Sequence, residues 1–442
     1  MRSQRLVWTS ILGLMFVLGC GPADGTGEVN APLGGKADKA GGVGVAPAME
    51  HVYELLAEGT VTGLSAMDIT AKRGVLDQAL DAIIAQVALS KDLTLQVGTN
   101  GMDRLNFPPV DLDMDGAPDE VGTKLELSSS ADGWILASTD RAHGVALRWS
   151  IVAYSQGETV KVVIGVPETF VRLYFRGEAS AQALENVAKK IHADLREVVH
   201  LALKDGGYAT QLDAGIPGTE MGEATIAQIE GQNGPITGES IAPSITLTGV
   251  AIGDVVTAIE AAFKAPRVPD LNQDGVVDQA DQGVLPGAFM QYLMGQMTFE
   301  QMAGMMSMGP QIWGMGGTFQ QWAVPRTLDL STAQAGAHYV VELCQPFYAN
   351  TALSTGLHHI PSMPCAVTVW EEGNTVQVSL LDPAFIFGYL FTDAGPQMPP
   401  AMQALFAVFP HFVYNEMAGV VNASMQGLGL PQTLAFHALP GA

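Results

Sequence analysis

The chain has 442 residues, 48% of them hydrophobic and 15% charged, with a net charge of −24. That is enough apolar material for two or three folded domains, and it excludes disorder throughout. With only 21 Lys and Arg, scattered along the chain, nucleic acid and other polyanions are excluded as partners, whereas surplus carboxylates suit solubility and divalent cations.

Residues 1–19 combine a basic start, MRSQR, with an apolar run, LVWTSILGLMFVLG, that is too short to span a membrane and ends at Cys20. The VLGC stretch resembles the lipobox of bacterial lipoproteins, in which cleavage precedes the Cys and its thiol takes a lipid. Cys20 is therefore expected to begin the mature chain and anchor it to a membrane. Gly21, rather than Asp, follows the Cys and points to the outer membrane; plain secretion is the alternative. Residues 20–48, rich in Gly, Ala, Pro and Asp, read as a flexible tether.

An N-terminal lobe is expected over 49–205. GVLDQALDAIIAQVAL has helical spacing, VALRWSIVAYS and ETVKVVIGV alternate as strands, and Leu184, Val187, Ile191, Leu195, Val198 and Ala202 line one face of a later helix. The thin composition of 206–243 reads as a linker. A C-terminal lobe over 244–442 repeats the order: the helix VAIGDVVTAIEAAF, strands near HYVVELC and CAVTVWEEGNTVQVSLL, and a closing apolar helix around 399–425. The fold class expected is α+β, two lobes that each lay helices on a small, mostly antiparallel sheet.

Each lobe contains an acidic loop. In DLNQDGVVDQAD, Asp270, Asn272, Asp274, Asp278 and Asp281 fall at positions 1, 3, 5, 9 and 12 around Gly275, with the Val276 carbonyl at position 7; this is the oxygen-donor spacing of a Ca²⁺ loop and resembles EF-hand and dockerin loops. In DLDMDGAPDE, Asp111, Asp113, Asp115, the Ala117 carbonyl and Asp119 follow the same spacing around Gly116, but position 12 is Gly122. Crowded carboxylates repel one another unless a cation sits among them. Ca²⁺ is the expected ligand of both loops.

Placing SIVAYSQGETVKVVIGVPETFVRLYF (150–175) over AVTVWEEGNTVQVSLLDPAFIFGYLF (366–391) aligns Gly157 with Gly373, Thr159 with Thr375, Pro167 with Pro383 and Phe175 with Phe391. The shared frame is a hairpin with a Gly turn and a Pro that opens a helix, so a degenerate internal duplication is expected.

Glu342, Cys344, Pro346, Pro364, Cys365, Asp382 and Pro383 resemble the pattern of the small α/β family known as domain of unknown function 302, with Gln345 where Asn is usual. The resemblance covers roughly 325–425 and implies a fold rather than an activity. Cys344 and Cys365 read most simply as a disulfide of an oxidising envelope, worth about 3 kcal/mol. A redox or metal site with His358 and His359, and a pair of inert buried thiols, stay open. Met290, Met294, Met297, Met302, Met305 and Met308 form a sulfur stripe if their stretch is one helix, suited to adaptable packing or to Cu(I).

No phosphate loop, Gly-x-Ser-x-Gly or HExxH motif is present. The expected function is a non-enzymatic, calcium-binding envelope lipoprotein for an unidentified protein or small-molecule partner. The rivals are a redox or copper-handling protein and an adhesion or scaffold-attachment module.

Overall fold

The computed structural model describes residues 50–439 apart from 113–117, 133–134, 136–140, 143–147, 213–219, 225–229, 231–235, 266–267, 273, 278, 307, 364, 392–393 and 395–399. The leader, Cys20 and the tether lie outside the described residues, as do Asp113, Asp115, Ala117 and Asp278.

The first lobe is built on β1 (Glu50–Thr60), β2 (Leu93–Leu95), β3 (Arg104–Asn106), β4 (Gly122–Ser129), β5 (Trp149–Gln156) and β6 (Thr159–Gly165). The strands run β2-β4-β5-β6-β1, with β3 also on β4. Helix α1 (Ile69–Val87) starts at Asp68, whose carboxylate accepts the Ala71 N–H, and it buries Leu76, Leu80, Ile83 and Val87 at three- to four-residue spacing. After the short α2 (Pro167–Tyr174), α3 (Ala181–Leu203) lays Leu184, Ile191, Leu195 and Val198 beside α1, and together they cover one face of the sheet.

The expected linker does not hang free. Its residues supply β7 (Ala209–Thr210) and β8 (Glu220–Ala224), both antiparallel to β1, and then the turn of helix α4 (Gly238–Ile241). Backbone pairing holds them, so little apolar side chain is needed.

The second lobe starts at β9 (Ser244–Thr248) and α5 (Ile252–Lys264), which buries Val255, Ile259 and Phe263. Short helices follow: α6 (Gln279–Gln282), α7 (Val284–Leu293), α8 (Phe299–Met306) and α9 (Gly309–Gly314). Then come β10 (Thr327–Asp329), β11 (His338–Leu343), α10 (Pro346–Leu353), a 3₁₀ turn (Leu357–Ser362), β12 (Cys365–Glu372), β13 (Thr375–Leu380), α11 (Pro383–Leu390) and α12 (Pro400–Gly427). The sheet order is β10-β11-β12-β13-β9. The methionines do not form one stripe: Gly295 at φ +65 separates α7 from α8, Met302 is buried and Met294 is exposed.

The two lobes share a topology. In each, a first strand (β1, β9) pairs antiparallel with the last strand of a meander (β6, β13), and a helix follows the first strand (α1, α5). In each, a Pro opens the helix after the meander (Pro167, Pro383). Gly157 and Gly373 sit at φ +57 and φ +60 in the two equivalent hairpin turns, a backbone region that favours Gly.

The face of the first sheet away from α1 and α3 is covered by the second lobe. Leu353, Leu357 and Ile360 pack on Leu55, Val152, Tyr154 and Val163, and a Cβ at Gly122 would lie 2.2 Å from Ile360 Cδ1. That contact requires a glycine.

Candidate functional site

Three places gather polar chemistry: the 270–281 loop, the seam between the lobes, and the helical side of the second lobe.

In the loop, Gly275 has φ +87, which lets the backbone fold over the side chains before it. Asp270 Oδ2 accepts the Gly275 N–H at 2.9 Å, Asn272 Oδ1 accepts the Asp274 N–H at 2.9 Å, and Asp274 Oδ1 accepts the Val276 N–H at 2.8 Å. Asp281 is fully buried, and its Oδ1 accepts from the amides of Leu271 at 2.8 Å and Asn272 at 3.2 Å. The expected ligand positions 1, 3, 5 and 12 therefore share one small loop, although among the described residues no three His, Cys, Asp or Glu side chains converge closely enough to hold a metal. In the first loop Asp119 pairs with the buried ammonium of Lys72, so an internal cation already faces position 9. Asp111 stands half-buried beside the Val110–Glu120 bridge.

The seam holds charges that sequence reading missed. Glu126 on β4 and Glu342 on β11 are both fully buried. Arg326 spans them, its Nη2 at 2.7 Å from Glu126 and its Nε at 2.5 Å from Glu342, and Arg148 also touches both carboxylates. Lys124 Nζ is 2.6 Å from Glu126 Oε1 and also donates to the Met363 carbonyl of the other lobe. Burial raises the pKa of both carboxyls. At Glu126 the combined pull of Arg148, Lys124 and Arg326 outweighs burial and holds it well below the usual range, while at Glu342 burial and the adjacent Glu126 prevail and push it up. Asn100 also donates across the seam to the Pro325 carbonyl at 2.7 Å, and Tyr53 to the Leu390 carbonyl at 2.9 Å. This cluster is sealed from water and serves to orient the lobes.

The expected Cys344–Cys365 disulfide is not formed: both are free thiols. Cys365 pairs in register with Leu343, so Cys344 stands one residue beyond its ladder partner. Burial pushes Cys344 up to about 11 and Cys365 up to about 12, which keeps both protonated at neutral pH. Cys365 lines a cavity of about 40 Å³ with Tyr348, Met363, Phe387, Phe391 and Phe409. His359 is buried against Phe391, with its Nδ1 2.8 Å from the Thr355 hydroxyl.

Beside that cavity, Glu416 of α12 is fully buried. It accepts the Tyr348 hydroxyl and the Phe319 N–H, and burial lifts its pKa to about 8 against those bonds. At the outer side of α12, His411 and His437 face each other, with Asp382 behind His437. A lone Glu or His within an apolar helix carries no sequence signal of its partners, because those partners are supplied by distant segments.

Residues 318–406 match the family described as domain of unknown function DUF302. Among solved structures, the chain is similar to an uncharacterized conserved DUF302 protein from Bacillus stearothermophilus at 15% identity, with 28% of this chain and 88% of that chain covered and a TM-score of 0.21. No curated protein matches. The C-terminal lobe, with Glu342, Cys344, Cys365 and Asp382 in the matched span, thus carries a DUF302 domain at 318–406.

Proposed function

We propose that the protein is a non-catalytic, calcium-binding lipoprotein of the cell envelope, tethered through Cys20, whose lobes present a surface to a protein or small-molecule partner. Calcium binding is supported by the loop at 270–281. Asp270 Oδ2, Asn272 Oδ1 and Asp274 Oδ1 each accept one backbone N–H and keep a second lone pair, and these oxygens with the Asp281 carboxylate and the Val276 carbonyl make a hard donor set suited to Ca²⁺ rather than to a soft metal. The first loop is the weaker candidate because Lys72 already neutralises Asp119.

The test is thermal unfolding of the soluble chain with chelator and with calcium. For dissociation constants of about 10⁻⁴ to 10⁻³ M, roughly 10 mM Ca²⁺ stabilises by about 1.5–3 kcal/mol. Asp274→Ala removes most of that gain and Asp115→Ala a smaller part. An identical melting temperature with and without chelator would remove calcium from the proposal.

A further inference from the structure

The final segment of the chain runs back along α12 and is clamped to it at two places. Asn422 Nδ2 donates to the Leu434 carbonyl at 2.9 Å and its Oδ1 accepts the Leu434 N–H at 2.7 Å. Asn415 repeats this with His437, at 2.9 and 2.7 Å. The His437 ring lies flat on Tyr414, centroids 4.0 Å apart and planes 12° apart. Backbone and ring are therefore both held before any ligand arrives.

The His437 Nε2 lies 3.0 Å from Asp382 Oδ2, and that carboxylate is buried and fixed at its other oxygen by the Ala384 N–H at 2.8 Å. A carboxylate accepts only from a protonated ring nitrogen, so Nε2 carries the hydrogen and Nδ1 of the neutral ring presents a lone pair. The two Nδ1 atoms, of His437 and His411, lie 3.2 Å apart, and both rings are half-buried. Two nitrogens bound at about 2.0–2.1 Å to one tetrahedral zinc lie about 3.3 Å apart. An imidazole whose far nitrogen is held by a carboxylate is the usual setting of a metal-bound histidine.

We propose that His411 and His437 form a two-imidazole site for a late first-row divalent metal, zinc or copper(II), with Asp382 as the positioning residue and water completing the coordination. The metal takes the place of the single proton between the two Nδ1 atoms, which moves to the outer nitrogen of His411 or leaves to solvent. The site shares no ligand with the acidic loops, and its failure would leave calcium binding untouched. It also fastens the segment around His437 to α12.

The test is titration of the full soluble chain with Zn²⁺ in millimolar Ca²⁺, which fills the oxygen-donor loops first. One zinc equivalent is expected, with affinity reduced more than about 10-fold in His411→Gln and in His437→Gln and unchanged in the Cys344→Ser/Cys365→Ser double variant. Asp382→Asn, which keeps an oxygen for the Ala384 amide, weakens zinc by about 10- to 100-fold with helicity unchanged. Electron paramagnetic resonance of the Cu²⁺ form should show coupling to two imidazole nitrogens, reduced to one in either His variant. Zinc binding of equal strength in the wild type and both His variants, or none in the wild type, overturns the proposal.

Discussion

Glu416 offers a measurable consequence of burying a carboxyl. It is fully buried with a pKa of about 8, raised by burial and restrained by the Tyr348 and Phe319 bonds, whereas an unfolded chain returns it to 4.5. Between those values the folded protein holds a proton that the unfolded chain has released. Stability therefore falls as pH rises from about 4.5 to about 8, and this group contributes no slope outside that window. Each unit corresponds to about 1.4 kcal/mol, so the step from pH 5 to pH 7.5 costs about 3 kcal/mol. Gln at this position keeps a carbonyl for the Phe319 N–H and turns its NH₂ to the Tyr348 oxygen, yet cannot ionise. Guanidinium unfolding of wild type and Glu416→Gln at both pH values cancels every shared titration. The difference should move in favour of the variant by about 3 kcal/mol from pH 5 to pH 7.5. A difference that stays constant with pH would show that the carboxyl is not held neutral by its surroundings.

Arg326→Leu strips the shared cation from Glu126 and Glu342 and should lower stability by about 3–5 kcal/mol, read from the denaturant midpoint. Glu342→Gln should cost less, because burial already favours its neutral form. In the native protein at pH 8, Cys344 and Cys365 should react with a thiol reagent far more slowly than after unfolding; a bridge would instead give no reaction in either state without reductant. Cys20→Ser should shift the protein from the membrane fraction to the soluble one, and retention after a salt wash would refute the lipid anchor.

Sequence pattern captured what rests on local geometry. The Gly157 and Gly373 turns, the Pro-led helices after them and the apolar face of α3 all follow from backbone and periodicity rules that act within a few residues. β4 shows the limit of such rules. Lys124 and Glu126 alternate with Leu125 and Leu127, as in a strand with one wet face, but the second lobe covers that face and the charges satisfy one another instead. Period-two patterning records that a face is polar, not what lies against it. The strands within 209–224 escaped notice because their hold is the ladder to β1. The His411–His437 contact joins a helix to a returning tail, and spacing along the chain does not report such a meeting.

Glu126 and Glu342 stand at equivalent positions of the two copies, the interval between them equalling that between Gly157 and Gly373. The seam thus has the character of a two-fold dimer contact, in which each half meets the other through the same spot on its surface. On separate chains, such a contact would be populated only above its dissociation constant. Joined in one chain, the halves meet at an effective concentration on the order of millimolar at any dilution. The pairing therefore survives without matched halves: Trp149 stands where the other copy has Cys365, and the buried cations come unequally, Lys124 and Arg148 from one side and Arg326 from the other. Of the two halves, the second alone keeps the thiols Cys344 and Cys365.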